Sequence, residues 1–211
     1  SFDAADELVT ALAWVASEGF DVAVIATSYE MWEPNDGRGP VAQAANAARQ
    51  AGVIVIASAG RFGDRHYRAT YAEWDEDPWY HTFGKGNVMT LGGDGDSCPV
   101  IGEGEPIDVS LVWDDWGDDL SDPGATADYD LHLLSWDSFW GWEIVDSSAS
   151  DQGGINPPVE WIAIDAPYDA CYGVSVERWS ASTARTLQIY SYFWPLEQPL
   201  QTPAGSVITP C

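Results

Sequence analysis

Hydrophobic residues near the start of the chain follow the spacing of an amphipathic helix. Between residues 3 and 18, Leu8, Leu12 and Val15 recur at helical intervals, and Asp6 lies near the start of the segment, where acidic residues favour a helix N-terminus. Gly19 follows the last turn, where glycine commonly ends a helix. The pattern therefore predicts a helix over residues 3–18.

Two short apolar runs downstream have the pattern of strands that are buried on both faces. They span residues 22–26 and 53–57, and the Ala-rich segment 41–51 lies between them, with Pro40 before it and Gly52 after it. Continuous apolar runs are typical of parallel sheets, and Pro and Gly at these places are typical helix boundaries. The order of elements predicts a parallel α-β-α-β unit with a right-handed crossover.

The pattern changes after about residue 82, where short alternating runs replace the helical periods. Alternation of apolar and polar residues between turn signals is typical of antiparallel strands. Seven strands are predicted, near residues 87–91, 107–114, 129–135, 142–147, 159–165, 172–179 and 185–193. Seven or eight such strands make a β-sandwich or jelly roll. The predicted fold class is therefore α/β plus all-β.

The net charge of the chain argues against some classes of binding partner. Its 211 residues include 8 Lys and Arg against 34 Asp and Glu, which gives a formal net charge of −26 at pH 7. Nucleic acids and anionic membranes are bound through basic surfaces, so we expect neither as a partner. No segment reaches the ~18 to 20 consecutive apolar residues of a membrane-spanning helix. The abundance of carboxylates favours an extracellular, secreted protein.

Three cysteines are present, and none has the C-x-x-C spacing of a zinc ribbon or a redox pair. We expect one disulfide, between Cys98 and Cys171. Cys211 is then either a free thiol or a site for cross-linking to another chain.

An acidic loop and the strand after it hold the best candidate metal ligands. These are Asp114, Asp115, Asp118, Asp119, Asp128 and Asp130. Oxygen ligands that converge from loops suit calcium, which takes about 6 to 8 of them in irregular geometry. Asp128 and Asp130 alternate along a strand and therefore face the same side. A solvated acidic loop is the alternative, and Asp94 and Asp96 form a weaker second candidate.

Histidines and tryptophans are further candidate functional residues. His66, His81 and His132 have no partner at metal-ligand spacing, so we expect local packing or hydrogen bonding rather than catalysis or ligation. Tryptophans concentrate in the β part, where Trp161 and Trp179 fit core-facing strand positions. The region 136–142 is the predicted exposed contact surface, and exposed Trp rings that stack on sugars make a carbohydrate-binding module a rival function.

The first 60 residues resemble the subtilisin-like serine proteases. The matching segments are D-G-R-G-P-V at residues 36–41 and A-A-R-Q-A-G-V-I-V-I-A-S-A-G at residues 47–60, and residues 21–28 fit the preceding strand of that family. The segment A-G-S-V-I-T-P at residues 204–210 is similar to the return toward the catalytic serine in some large members. The resemblance implies a partial parallel subtilisin-like unit.

The middle of the chain resembles an insertion that some members of this family carry. The segment F-G-D-R-H-Y at residues 62–67 is similar to the start of such insertions, and D-Y-D-L-H-L-L at residues 128–134 marks a prepeptidase C-terminal type domain. The implied organisation is a partial α/β unit, residues 1–67 and 201–211, interrupted by an antiparallel β-sandwich or jelly-roll domain at residues 68–200.

The catalytic motifs of the family are absent from this chain. It contains no D-[ST]-G, no H-G-[TH] and no G-T-S-x-[AS] segment, although the family needs a Ser nucleophile, a His base and an orienting Asp. Arg61 stands where the family has the oxyanion-hole Asn, and a guanidinium does not replace an amide donor. Losing such a donor costs about a hundred- to a thousandfold in rate. An active enzyme is therefore the less favoured interpretation.

The resemblance nevertheless implies remnants of a substrate cleft. Residues that match the substrate-pairing strand and one wall of the first specificity pocket are Ser28, Tyr29, Glu30, Ser58, Ala59 and Gly60, with Arg61 beside them. Ordinary strand ends are the alternative explanation for these residues.

The sequence as a whole favours a structural or interaction module without catalytic activity. Two parallel strands cannot cover their own edges and faces, so either identical copies supply the neighbours, as an oligomer or filament, or a complementary chain does. One alternative is a segment of a secreted subtilisin-like endopeptidase whose triad lies outside this chain. The other is the carbohydrate-binding β-sandwich.

Overall fold

The chain forms two compact units that divide between residues 61 and 62, a few residues before the boundary expected at 67. The division comes earlier because the strand His66–Thr70 pairs within the second unit. The computed structural model describes residues 2–27, 34, 36–58, 60, 62–93, 98–117 and 124–197. The expected return of residues 201–211 to the first unit lies outside these residues.

In the part of the first unit that the structure describes, two helices and two strands alternate. They are α1 (Phe2–Ser17), β1 (Val22–Ile25), α2 (Pro40–Gln50) and β2 (Ile54–Ala57). Pro40 occupies the first turn of α2, where its missing N–H costs no hydrogen bond. β1 and β2 pair in parallel, with Val22 opposite Ile54 and Val24 opposite Ile56.

Among the residues that the structure describes, only one face of this two-stranded sheet is covered. Ala23 and Ile25 pack in one cluster with Leu12 of α1 and with Ala45 of α2. Both helices therefore contribute to the same side of the sheet. The residues that alternate with this side, Val22, Val24, Ile54 and Ile56, are exposed. The sequence pattern predicted burial on both faces, and among the described residues nothing covers the second one.

Within its described residues, the second unit has ten strands. They are β3 (His66–Thr70), β4 (Glu73–Trp74), β5 (Asp77–His81), β6 (Met89–Thr90), β7 (Pro106–Trp113), β8 (Asp128–Asp137), β9 (Gly141–Ser148), β10 (Val159–Asp165), β11 (Tyr172–Ser180) and β12 (Thr186–Ser191). The sequence predicted a counterpart for each strand from β6 onward. β3, β4 and β5 were not predicted, because they are short and rich in polar residues.

These strands form antiparallel sheets that share one core. One sheet has the order β10-β7-β12-β3, and the other has the order β4-β5-β11-β8-β9, with β6 also paired to β11. Alternate residues of both sheets, such as Leu111 of β7 and Leu131 of β8, meet in a single hydrophobic cluster with Trp113. The described chain is therefore mostly antiparallel β-sheet with two helices.

A disulfide joins Cys98 to Cys171, the pair expected from the sequence, across a separation of 73 residues. Cys171 immediately precedes β11, and the nearby backbone pairing of Ile101 with Ala170 holds the same two segments together. Neither described helix has the length and apolar character that crossing a membrane would require.

Candidate functional site

The alternation of side chains along β8 separates a core face from a polar face. Tyr129, Leu131 and Leu133 belong to the hydrophobic core. Because successive strand residues point to opposite sides, Asp130 and His132 face away from that core. Both side chains are nevertheless buried. The strand therefore holds a carboxylate and an imidazole next to each other where little water reaches them.

The neighbouring strands add polar side chains to the same face. Glu177 of β11 is directly opposite Asp130, and Ser175 of β11 is opposite His132. On the other side of β8, Ser147 of β9 is also opposite His132. Residues opposite each other in an antiparallel pair have side chains on one face. We call Asp130, His132 and Glu177 the carboxylate–histidine cluster.

The polar atoms of this cluster lie within bonding range of one another. His132 Nε2 is 3.0 Å from Glu177 Oε2, and His132 Nδ1 is 2.8 Å from Ser147 Oγ. The Tyr80 hydroxyl donates to Glu177 Oε2 at 3.4 Å. One ligand atom from each of the three cluster residues lies within 4.8 Å of the other two, a spacing at which they could hold one metal ion.

Negative charge is concentrated around the cluster. Burial, together with the carboxylates of Asp128, Glu177 and Glu160, raises the pKa of Asp130 to about 7. Burial also raises the pKa of Asp128, with Asp151 and Glu160 contributing. Two carboxyl groups are therefore held where their ionised forms are disfavoured, which is an arrangement that a bound cation would stabilise.

The basic residue nearest in sequence does not neutralise this charge. Arg178 follows Glu177 on β11, and its guanidinium pairs with Glu73 at 2.7 Å and lies over the ring of Tyr71. Because adjacent strand residues point to opposite faces, Arg178 is directed away from Asp130.

Two buried oxygens beside the cluster have no hydrogen-bond partner among the described residues. They are Asp128 Oδ1 and Ser175 Oγ. Both residues are more than nine-tenths buried, and both are on the polar face, Asp128 two residues before Asp130 and Ser175 opposite His132. Buried polar atoms are rarely left without partners, so these oxygens point to a missing ligand.

The predicted calcium ligands are only partly brought together. Asp114 accepts a hydrogen bond from the backbone N–H of Thr186, and Asp115 accepts from the backbone N–H groups of Thr126 and Ala127 and pairs with Arg185. These two carboxylates therefore hold the loop between strands. Asp118 and Asp119 lie outside the described residues, as do Asp94 and Asp96, so a calcium site in the loop stays a prediction.

His132 and Glu177 are the cluster members that the sequence analysis did not expect to bind a metal. The alternation D-x-D-x-H over residues 128–132 was the available signal, because it places three potential ligands on one face of a strand. Glu177 carried no such signal, since its position opposite Asp130 depends on the pairing of β8 with β11.

The other two histidines have local structural roles. The backbone N–H of Ala72 donates to His81 Nδ1 at 3.0 Å, so the neutral ring carries its proton on Nε2, which is 2.9 Å from the Tyr67 hydroxyl. His66 stacks on Tyr190 with ring centroids 4.5 Å apart. Burial lowers the pKa of each histidine to about 4.

Most of the predicted substrate-cleft residues lie outside the described residues. These are Ser28, Tyr29, Glu30, Ala59 and Arg61. The backbone N–H of Ser58 donates to the carbonyl of Ile25, and the N–H of Gly60 donates to Ser58 Oγ. The structure thus gives Ser58 a role in joining β1 to the end of β2.

The burial of the tryptophans differs from the expectation. Trp113 is fully buried, whereas Trp161 and Trp179, which were expected in the core, are 47% and 65% exposed. Phe139 and Trp140, in the turn between β8 and β9, are exposed, and Trp136, near the end of β8, is half exposed. Asp137 accepts hydrogen bonds from the backbone N–H groups of Phe139 and Trp140 and so fixes this turn.

Comparisons with known proteins show similarity of fold alone. No protein-family model matches the chain, and no curated protein matches it. Among solved structures, the chain is similar to the CspB protease of Clostridium perfringens, with 10% sequence identity and a TM-score of 0.51 over 92% of this chain. The chain corresponds to 41% of the length of that protease.

Two further solved structures were matched at lower TM-scores. The mitogen YPM of Yersinia pseudotuberculosis has 14% identity and a TM-score of 0.33, over 69% of this chain and 96% of that chain. CorA, a surface-associated copper-binding protein of Methylomicrobium album BG8, has 10% identity and a TM-score of 0.34, over 60% of this chain and 92% of that chain. At these TM-scores the similarity supports no conclusion about this chain.

Proposed function

We propose that this chain is a non-catalytic module of a subtilisin-like protein, and that it docks through the bare face of its β1–β2 sheet onto a complementary polypeptide. The observation that carries the proposal is the apolar surface formed by Val22, Val24, Ile54 and Ile56, which we call the bare sheet face. These four side chains are between 47% and 69% exposed. Parallel sheets are ordinarily covered on both faces.

The energetics of this surface favour association. Complete burial of a Val or Ile side chain contributes about 1.5 to 3 kcal/mol, so covering a side chain that is already half buried contributes about 1 kcal/mol. Four adjacent side chains together provide several kcal/mol, and the unpaired strand edges add backbone hydrogen bonds. A patch of this kind is typical of an interface rather than of free surface.

A complementary segment fits this face better than a second copy of the chain does. The chain is similar in fold to a protease of which it spans 41%, so a protein of that kind contains polypeptide beyond the part that corresponds to this sequence. In the subtilisin-like family, that remainder would supply the missing strands, helices and catalytic triad. The absence of the triad motifs and the presence of Arg61 support a non-catalytic role for this part.

An extracellular location and a jelly-roll topology of the second unit are further parts of the proposal. The location is supported by the Cys98–Cys171 disulfide, since such bonds persist in oxidising compartments, and by the net charge of −26. The topology is supported by the two antiparallel sheets around one core.

We predict that Val24→Lys abolishes docking. A lysine in the middle of the bare sheet face would have to lose its hydration shell on association, which costs several kcal/mol. The measurement is the native mass by light scattering of material purified from the organism that produces it, with denaturing mass spectrometry of every chain present. The wild type is expected to exceed 22.9 kDa, and Val24→Lys is expected to have the mass of the single chain.

Val100→Lys is the matched control. Val100 is 66% exposed in the second unit, against 69% for Val24, so the same substitution there should leave the native mass of the assembly unchanged. Val55 is unsuitable for this test because it packs against the helix-side core. A second chain carrying the triad motifs would support the proposal. Integer multiples of one chain would favour self-assembly, and a wild-type monomer would overturn docking altogether.

Carbohydrate binding is a second candidate, favoured by the exposed aromatic turn between β8 and β9. Trp140 is 72% exposed and lies beside Phe139. If these rings stack on sugars, oligosaccharides will quench Trp fluorescence, and Trp140→Ala will remove the response. Trp179→Ala is the control, since Trp179 is similarly exposed elsewhere. The absence of saturable quenching with the wild type would exclude this function.

A further inference from the structure

We propose that Asp130, His132 and Glu177 bind one divalent transition-metal ion, and that zinc fits them best. The site belongs to the second unit and is independent of the docking proposed for the first. Its ligands come from two paired strands, which are more rigid supports than loops. Asp130 and His132 are two residues apart on β8, and Glu177 is opposite Asp130 on β11.

The present geometry is close to that of a zinc site. Zinc lies about 2.0 to 2.2 Å from nitrogen and carboxylate ligands, so two ligand atoms of a tetrahedral site are roughly 3.3 Å apart. His132 Nε2 and Glu177 Oε2 are 3.0 Å apart, and the Asp130 carboxylate lies within 4.8 Å of both. Closing the site therefore requires the Asp130 carboxylate to move toward the other two ligand atoms.

Ser147 orients the imidazole for this role. Its hydroxyl oxygen is 2.8 Å from His132 Nδ1, so it can accept the Nδ1 proton and leave the lone pair on Nε2, the atom that faces Glu177. Metal-bound histidines commonly use their other ring nitrogen in this way, and the hydrogen bond fixes the ring and its tautomer. Ser147 is therefore a positioning residue of the proposed site.

The negative charge around the cluster also favours a bound cation. Two ionised carboxylates, one neutral imidazole and one Zn²⁺ have no net charge, so the ion would remove the repulsion between Asp130 and Glu177. Asp128 Oδ1 and Ser175 Oγ are buried on the same face without partners. A ligand on this face, such as a metal ion with a bound water, would give these oxygens a partner.

The donor set discriminates against calcium. Calcium takes about 6 to 8 oxygen ligands, whereas this cluster offers one nitrogen and two carboxylates in a buried position. Imidazole together with carboxylates suits zinc and similar transition metals. The proposed site is thus different in kind from a calcium site in the acidic loop, although Asp130 was a candidate for both.

The test is zinc binding by the purified chain after treatment with a chelator, measured by titration calorimetry and by the thermal midpoint of unfolding. We expect one Zn²⁺ per chain and a rise in the midpoint, with no comparable effect of Ca²⁺ on the cluster. Glu177→Gln keeps the shape and hydrogen bonds of a partly exposed side chain, and His132→Asn removes the nitrogen ligand. Each is expected to weaken zinc binding at least tenfold, in the range of about 10- to 100-fold for disturbed zinc shells.

His66→Gln is the matched control, because His66 is a buried histidine of the same unit outside the cluster. It should bind zinc as the wild type does. Circular dichroism of the metal-free variants shows whether they fold. If His132→Asn does not fold, Glu177→Gln alone tests the proposal. Absence of stoichiometric zinc binding by the wild type overturns the proposal. So does equal zinc affinity of the wild type and a folded Glu177→Gln variant.

Discussion

Acidification from pH 7 to pH 4 is expected to destabilise the second unit through two buried histidines, His66 and His81. Burial lowers the pKa of each to about 4, whereas the unfolded chain has the ordinary value of 6.5. Between these values the unfolded chain binds protons that the folded chain does not. Stability is therefore complete above pH 6.5 and falls as the pH drops toward 4, by about 3 kcal/mol for each histidine.

The hydrogen bonds of His81 give this expectation a structural basis. Its Nδ1 accepts from the backbone N–H of Ala72, and a proton on that nitrogen would place two N–H groups against each other. The ring also lies among Tyr67, Tyr71 and Phe83, which exclude water. The folded unit therefore has to lose specific contacts before it can accept the proton.

The measurement is the free energy of unfolding in urea, followed by Trp fluorescence from pH 8 to pH 4, for the wild type and His81→Gln. The raised pKa of Asp130 acts in the opposite direction, since burial and its carboxylate neighbours make its protonation stabilising as the pH falls toward 4. Because both proteins contain Asp130, its contribution cancels when one free energy of unfolding is subtracted from the other. At pH 8 the difference in free energy of unfolding measures the packing lost in His81→Gln. Toward pH 4 the free energy of unfolding of His81→Gln should rise by about 3 kcal/mol relative to that of the wild type.

Tyr67→Phe is the control for this titration. It removes the hydroxyl that contacts His81 Nε2 but leaves the imidazole in place. Its stability curve should run nearly parallel to that of the wild type between pH 8 and pH 4. If the curve of His81→Gln is parallel as well, His81 does not titrate on unfolding and the assigned direction of its pKa is wrong.

The two helices and most of the strands were predictable because their signals are local. Helical spacing around Leu12, with a glycine after the last turn, predicted α1 to within a residue or two, and alternation predicted β8 and the common face of Asp128 and Asp130. β3, β4 and β5 gave no comparable signal. β3 and β5 are held by pairing with the distant strands β12 and β11, and β4 pairs with β5.

Only part of the carboxylate–histidine cluster could be predicted from the sequence. Asp130 and His132 follow from the period of a strand, whereas Glu177 is 45 residues from His132 in sequence and reaches it only because β8 and β11 pair in one register. A shift of that register by one residue would place Arg178 beside Asp130 in its stead. The local sequence does not determine this register, because the register depends on burying Leu131 and Val176 in the same core.

The exposure of individual aromatic residues was also beyond the reach of sequence patterns. Trp161 alternates correctly for a strand, but its indole N–H donates to the Asp108 carboxylate at the surface, at 2.7 Å. The inner positions on β10 belong to Glu160 and Ile162. Glu160 is buried because it accepts hydrogen bonds from Ser148, Ser150 and Gln152, a network that no hydropathy pattern predicts.

Removal of the disulfide by Cys171→Ser is expected to lower the free energy of unfolding by about 4 kcal/mol. A cross-link over 73 residues restricts the unfolded chain strongly, and the entropy of closing a loop of that length corresponds to about this value. The folded unit keeps several other links between the same segments, including the backbone pairing of Ile101 with Ala170 and the hydrogen bond from the Leu91 N–H to the carbonyl of Tyr172. We therefore expect the variant to fold, with lower stability.

Urea unfolding of Cys171→Ser, with Cys211→Ser as the control, separates the disulfide from the mere loss of a thiol. Both variants carry the same substitution, but only the first opens the Cys98–Cys171 loop. A reducing agent should lower the stability of the wild type and of Cys211→Ser to that of Cys171→Ser, and should leave Cys171→Ser unchanged. Equal stability of the three proteins under oxidising conditions would mean that the cross-link contributes nothing to the second unit, whose core and strand pairing would then account for its stability alone.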